Sequence, residues 1–234
     1  IQPMGIEIQQ TTFAWGENVN DPIDNMIFVR YKIINKGTVS NKFDDVYFSA
    51  WADPDIGASS ASNDDLVGCD TLLNIGIIYN DGDDVVFGIN PPALGIPFLQ
   101  GPAVFIPDVS YVDINGDGIY NEGIDMPLDS AQINSGPVLG IIKVPGATNQ
   151  GLSSFIHYMN GNPVMGDPDL SFMARNYMKG LDQYGFNIDP CSWSFGQVLG
   201  GINCTDVNPK YMYSGNPLIP DGWINNSPVD QRTL

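Results

Sequence analysis

The chain has 234 residues, of which 27 are acidic and 9 basic, giving a net charge of −18. That balance excludes nucleic acid as an expected partner, since phosphate binding needs clustered Lys and Arg, and it works against docking on anionic lipid. Hydrophobic residues make up 43% of the sequence, enough for a packed core, and no apolar run reaches the roughly 18 residues that a membrane-spanning helix needs.

The length fits one β-rich domain over residues 1–234. The sequence opens on Ile1 with neither an initiator Met nor a signal peptide, and reads as a mature form or a segment of a longer secreted protein. Period-two patterns dominate from the start. Ile6 and Ile8 alternate with Glu7 and Gln9. Ile27, Val29, Tyr31 and Ile33 fall on one side of a strand, with Arg30 and Lys32 on the other, the pattern of a strand with one wet face. Further strands are predicted at 46–51, 72–79, 85–87, 138–144, 155–159 and 211–213, separated by turn-rich segments. This spacing predicts an all-β fold, an antiparallel β-sandwich of the immunoglobulin-like or jelly-roll-like kind, with long loops. One segment departs from it. Leu170, Met173, Ala174, Tyr177, Met178 and Leu181 recur at helical spacing, which predicts one short α-helix near 170–180. Asp169 is placed to cap its start, and Gly180-Leu181 reads as a Schellman stop.

The acidic total holds 24 Asp and only 3 Glu. Adaptation of a surface to salt would draw on both, whereas Asp alone favours turns, caps and calcium loops. The strongest motif runs from Asp113 to Asp125. Asp113, Asn115, Asp117 and Asn121 stand at positions 1, 3, 5 and 9 of a calcium loop, Gly118 at the turning position 6, and the carbonyl of Ile119 at position 7. Position 12 is Ile124, so Asp125, one place later, is the expected closing carboxylate. The flanks are short and strand-like, so the loop lacks the paired helices of a calcium sensor. A looser cluster contains Asp53, Asp55, Asp64, Asp65 and Asp70, followed by the run Asn80–Asp84 with Asp81, Asp83 and Asp84. Its carboxylates repel one another unless water or cations intervene, so it is a second candidate for Ca²⁺, with hydrated turns as the alternative. The segment Asn18–Asp24 is a third and weaker candidate.

Several segments are similar to one another's counterparts in a known group: Asn25–Gly37, Trp51–Gly57 with Asp64–Asp70, Pro91–Ala93 and Lys210–Gly215. Together they resemble large secreted surface proteins of the Bacteroidota/Ignavibacteria type, cargo of the type IX secretion route. The resemblance implies an extracellular or cell-surface location. It also implies O-glycosylation of Ser or Thr that follows Asp and precedes a small or apolar residue, which here means Ser130 and Thr71.

Catalytic signatures are missing. The sequence has one histidine, His157, between aromatic residues, and no HExxH, GxSxG or phosphate-cradling loop. Among 24 Asp a pair of carboxylates can always be found, so glycosidase chemistry gains nothing from their presence. Of the three cysteines, Cys191 and Cys204 are 13 apart and are expected to pair, leaving Cys69 free and buried. The expectation is therefore a non-enzymatic, extracellular, calcium-stabilised structural protein: a building block that self-associates into a surface fibre, layer or adhesin, with Ile1–Gln10 or Trp223-Ile224 completing a neighbour. The alternative is a carbohydrate-binding or accessory module of a secreted hydrolase, using Trp15, Trp51, Trp193 and Trp223 as a glycan platform.

Overall fold

The structure, a computed structural model, describes residues 3–16, 21–58, 63–136, 138–229 and 231–234. Its strands in chain order are β1 (Ile6–Ala14), β2 (Ile27–Asn35), β3 (Asp65–Asp70), β4 (Ile75–Asn80), β5 (Ala93–Pro97), β6 (Ala103–Val104), β7 (Tyr111–Val112), β8 (Met126–Pro127), β9 (Ser130–Asn134), β10 (Ile141–Pro145), β11 (Thr148–Asn149) and β12 (His157–Met159). One α-helix, α1 (Ser171–Met178), precedes β13 (Gly196–Leu199), β14 (Gly222–Asn225) and β15 (Gln231–Thr233). The chain is mostly β, and its sheets are antiparallel. Among the described residues the strands are spread over one three-stranded sheet, β3-β4-β5, and six two-stranded ones.

Two units divide the chain. The first holds residues 1–46 and 134–140, the second 47–133 and 141–234. The first is built on the β1–β2 hairpin, nine residues against nine, in register from Ile6↔Asn35 to Ala14↔Ile27. Facing residues in such a ladder share a side of the sheet. Ile6, Ile8, Gln10, Thr12 and Ala14 therefore lie with Asn35, Ile33, Tyr31, Val29 and Ile27 on one face, which carries no charge. The other face carries Glu7, Arg30 and Lys32, and the facing pair Phe13 and Phe28, stacked at 5.3 Å with Trp15 edge-on to both. Sequence periodicity assigns the uncharged face to a core. In the structure that face is open: Ile27 is 75% exposed, Ile8 62% and Tyr31 60%. No described residue of this unit is buried.

The second unit holds the core. Val67 and Cys69 of β3 and Ile78 of β4 pack with Phe155, Ile156, Tyr158, Met165, Tyr177, Met212, Tyr213 and Trp223. The segment 211–213, expected as a strand, is instead a strap. It forms one bridge, Phe155↔Tyr211, and then leaves the extended region at Tyr213, whose φ is 56°. Its carbonyls still serve β3, since Cys69 N–H donates to Tyr213 O at 3.1 Å. The bulky side chain is held in this costly left-handed conformation by what surrounds it. Tyr213 Oη lies 3.1 Å from His157 Nδ1 and accepts from Trp193 Nε1 at 2.8 Å, and its ring packs on Trp223.

Other expected strands are corrected for local reasons. Residues 85–87 form a turn, because Asp84 Oδ1 accepts from both Val86 N–H and Phe87 N–H and so bends the chain. Strand β4 starts at Ile75 rather than Leu72, because Asp70 Oδ1 caps Leu72 N–H and Leu73 N–H and Asn74 turns left-handed. Residues 46–51 lie in no ladder; the first pairing comes at Ala52, bridged to Thr233. Residues 138–144 contribute a strand only from Ile141, and 155–159 only from His157.

The helix stands where its periodicity puts it, and it ends as a Schellman motif: Leu181 N–H donates to Asn176 O, Gly180 N–H to Tyr177 O, and Gly180 has φ 77°. Its N-cap is Leu170, with no side-chain cap, so Asp169 does not cap it. Only Tyr177 of the helix is buried, and Leu170, expected inside, is 53% exposed. Cys191 and Cys204 are disulfide-bonded, and Cys69 is free and buried. Burial pushes the Cys69 thiol up to about 12, so it stays protonated and inert. Among the described residues no helix is long and apolar enough to cross a membrane.

Candidate functional site

Two acidic regions of the second unit gather the predicted ligands, and they differ in how their oxygens are used. In the loop 113–125 the carboxylates of Asp113, Asp117 and Asp125 are all engaged. Asp113 accepts from Gly116 N–H at 2.8 Å and Gly118 N–H at 2.7 Å, which winds the chain around its head group. Gly116 and Gly118 both have positive φ, the conformation the winding needs. Asp117 Oδ1 accepts from Ile119 N–H, and its Oδ2 takes the amides of Asn115 and Asn121. These bonds hold the Asp117 carboxyl below its ordinary range, the Ile119 N–H first among them. Asn121 also donates to the carbonyl of Ile119 at 2.8 Å. Asp125 is buried and ties the two arms together, accepting from Ile114 N–H at 2.9 Å and Asn121 N–H at 2.6 Å. Loop positions 1, 3, 5, 7 and 9 and Asp125 are thus gathered by the loop's own hydrogen bonds.

The looser cluster resolves into separate groups. Asp53 pairs with Arg232 at 3.3 Å. Asp70 caps the β3–β4 turn, and Asp83 is exposed. Asp64, Asp65 and Asp81 converge where β3 begins and β4 ends: Asp65 faces Asn80 across the ladder, and Asp81 N–H donates to Asp64 O at 2.9 Å. Asp65 is 1% exposed, and its Oδ2 accepts from Ile56 N–H at 3.0 Å. Burial, followed by the repulsion of Asp64, Asp55 and Asp81, pushes its carboxyl up to about 6, against the opposing Ile56 bond. Asn80 and Asp84, the two ends of the acidic run 80–84, complete this head. Asp84 is buried and staples Ala58 to the turn at 86–87, and three backbone N–H groups, from Phe87, Ala58 and Val86, hold its carboxyl low. Gly57 packs so tightly beneath it that a Cβ there would stand 2.3 Å from Asp84 Oδ2.

Of the third candidate, Asn18–Asn20 lie outside the described residues, and Asp21 caps a short 3₁₀ turn through Ile23 N–H. Among the described residues no three His, Cys, Asp or Glu side chains are set to hold a metal ion together, so a cation at either region would need amide and carbonyl oxygens as well. Ser130 is exposed beside Asp129, and Thr71 is exposed in the β3–β4 turn.

His157 is fully buried, and burial pushes it down to about 3, so it is neutral and serves packing. The tryptophans of this unit are used individually. Trp223 is buried, Trp193 donates to Tyr213, and Trp51 donates to Tyr158 Oη. An open pocket of about 420 Å³ is lined by Asn63, Met159, Asn160, Gly161, Asn162, Pro163, Phe195 and Val229, with no carboxylate or imidazole among them. Compared with protein-family models, with curated proteins and with solved structures, the chain matches none.

Proposed function

We propose that this chain is a calcium-stabilised structural protein of the cell surface or extracellular space, a building block that joins copies of itself through the β1–β2 ribbon. The observation that carries the reading is a nine-residue, two-stranded ribbon without one buried residue. A two-stranded hairpin alone is marginal in water and needs a further layer or strand to persist. Both edges of this ribbon are free of strand partners among the described residues, and neither strand contains the Pro that would blunt an edge.

A second copy of the chain is the occupant. The apolar face is free of charge, so like faces meet without repulsion, although the chain as a whole carries −18. Two open edges on opposite sides of one ribbon allow head-to-tail strand addition, which propagates rather than closing as a dimer. A second ribbon laid on the apolar face supplies the missing layer. The other expected contact, Trp223-Ile224, is already used: β14 pairs with β13 and Trp223 is buried.

Calcium enters this reading through the loop 113–125, whose oxygens match a hard-cation loop in type and order. Its service is to neutralise carboxylates that otherwise repel within and between copies. The disulfide is compatible with an oxidising compartment, in keeping with the surface location implied by the resemblance to type IX cargo. The glycan-binding alternative has less support, because the tryptophans of the second unit serve packing and internal hydrogen bonds. Sedimentation of purified protein across concentration, with and without millimolar-scale calcium, tests the reading. Growing oligomers are expected, and Tyr31→Lys with Ile33→Lys on the apolar face is expected to hold the chain monomeric. A monodisperse wild-type monomer under every condition would overturn it.

A further inference from the structure

At the shared end of β3 and β4, three buried oxygen atoms lack a hydrogen-bond partner among the described residues: Asp64 Oδ1, Asp65 Oδ1 and Asn80 Oδ1. A buried acceptor left unpaired is costly, and in a native structure it calls for an occupant. The three belong to one place. Asp65 and Asn80 are direct partners across the ladder and share its face, and Asn80 Nδ2 reaches Asp64 Oδ2 at 3.5 Å. Asp65 is 1% exposed and Asn80 9%. The charges that act on Asp65 are all acidic, those of Asp64, Asp55 and Asp81.

We propose that this head is a cation site for a hard divalent ion of the calcium class, bound by Asp64, Asp65 and Asn80. The donors are all oxygen, two carboxylates and one amide carbonyl, without nitrogen or sulfur to favour zinc or copper. A water molecule could donate to two of the three orphans, but it would leave the carboxylates' charge in place. A proton shared between Asp65 and Asn80 would satisfy two oxygens and leave Asp64. A cation satisfies all three and offsets the repulsion as well. The rest of the ligand shell falls to solvent, as is usual for an ion that takes six to eight oxygens. The tight seat of Gly57 against Asp84, and the bond from Ile56 N–H to Asp65, hold the 56–58 segment against this head and keep the donors in position.

The site is separate from the loop 113–125, and a test must keep them apart. Calcium stoichiometry of the intact protein, by native mass spectrometry, is to be read beside calcium titration of its melting temperature. Asp64→Asn and Asp65→Asn keep the side-chain shape while removing a charge and exchanging one acceptor oxygen for an NH₂ donor. Each is expected to lose one bound ion relative to wild type, whereas Asp117→Ala retains this ion. Asn80→Asp adds a carboxylate; it is expected to tighten binding about tenfold and to lower the melting temperature only when calcium is absent. That gain keeps the proposal testable even where a loss variant folds poorly. If Asp64→Asn and Asp65→Asn keep the full wild-type stoichiometry, or Asn80→Asp leaves affinity unchanged, the site binds a proton or water and the proposal is overturned.

Discussion

The two units are made of different material. The ribbon unit carries six acidic and four basic residues and buries none of its described side chains; the second carries twenty-one acidic and five basic residues and contains every buried residue of the core. One is nearly neutral, apolar outside and empty inside. The other is strongly acidic outside and closed around aromatic rings. A unit that builds a core is defined by its own sequence, whereas one that exposes the residues of a core depends on something laid against it. The difference separates stability, seated in the second unit, from association, assigned to the first, and it can be attacked from either side.

The largest expected effect falls in the core. Trp223→Ala should destabilise the second unit by about 3–5 kcal/mol, because the ring is fully buried against Tyr213. Denaturant unfolding followed by tyrosine fluorescence would measure it. Reducing the Cys191–Cys204 bridge, or replacing both with Ser, comes next: it frees a loop of 13 residues and should cost about 3 kcal/mol in the chain-entropy view. A loss well under 1 kcal/mol would place the bridge outside the cooperative unit.

Dependence on pH sharpens the picture of the acidic unit, because two buried groups there act with opposite sign. Asp65 has a folded value of about 6 against an ordinary 3.8, so between these values the native state holds a proton that the unfolded chain releases. Calcium-free stability from this group therefore rises as pH falls through 6. His157 has a folded value of about 3 against an ordinary 6.5, so over that window the unfolded chain gains a proton that the native state refuses, and its contribution falls with acid. In calcium-free melting curves from pH 7 to pH 5, Asp65→Asn should steepen the loss and His157→Gln should flatten it. A common slope for both variants would contradict the assignment.

The smallest expected effect lies in the ribbon. Ile8→Ala and Tyr31→Ala, at positions 62% and 60% exposed, should move monomer stability by no more than about 0.5 kcal/mol while reducing association. A stability loss as large as that of a core substitution would mean that the ribbon is buried within one chain, and the contrast between the units would collapse.

How much of this was legible in sequence follows the same line. Local chemistry reads well: the alternation at 27–33 gave the strand, the spacing of Met173, Tyr177 and Leu181 gave the helix, and the Gly180-Leu181 stop closes as written. The disulfide was legible from count and spacing. What failed was inference from local pattern to environment. The apolar side of β2 was read as core, yet burial depends on a second layer that periodicity does not encode. Val85–Phe87 has the residues of a strand, but Asp84 caps the chain into a turn. The regular loop 113–125 stood out because its oxygen-bearing side chains are close in sequence. The head formed by Asp64, Asp65 and Asn80 was legible only as part of a diffuse acidic cluster, because Asn80 is set beside Asp65 by the β3–β4 register, a long-range fact.

The central claim is that copies meet on the ribbon, and backbone hydrogen exchange tests it most directly. Protein should be compared in dilute calcium-free buffer and at high concentration with calcium, with amides followed across β1 and β2. The account predicts fast exchange throughout the ribbon in the dilute state, and strong protection of the edge amides and the Ile27–Ile33 segment in the concentrated state, while Val67–Cys69 and Ile78 stay slow in both. Equal exchange in the two states, with the ribbon fast in each, would contradict it.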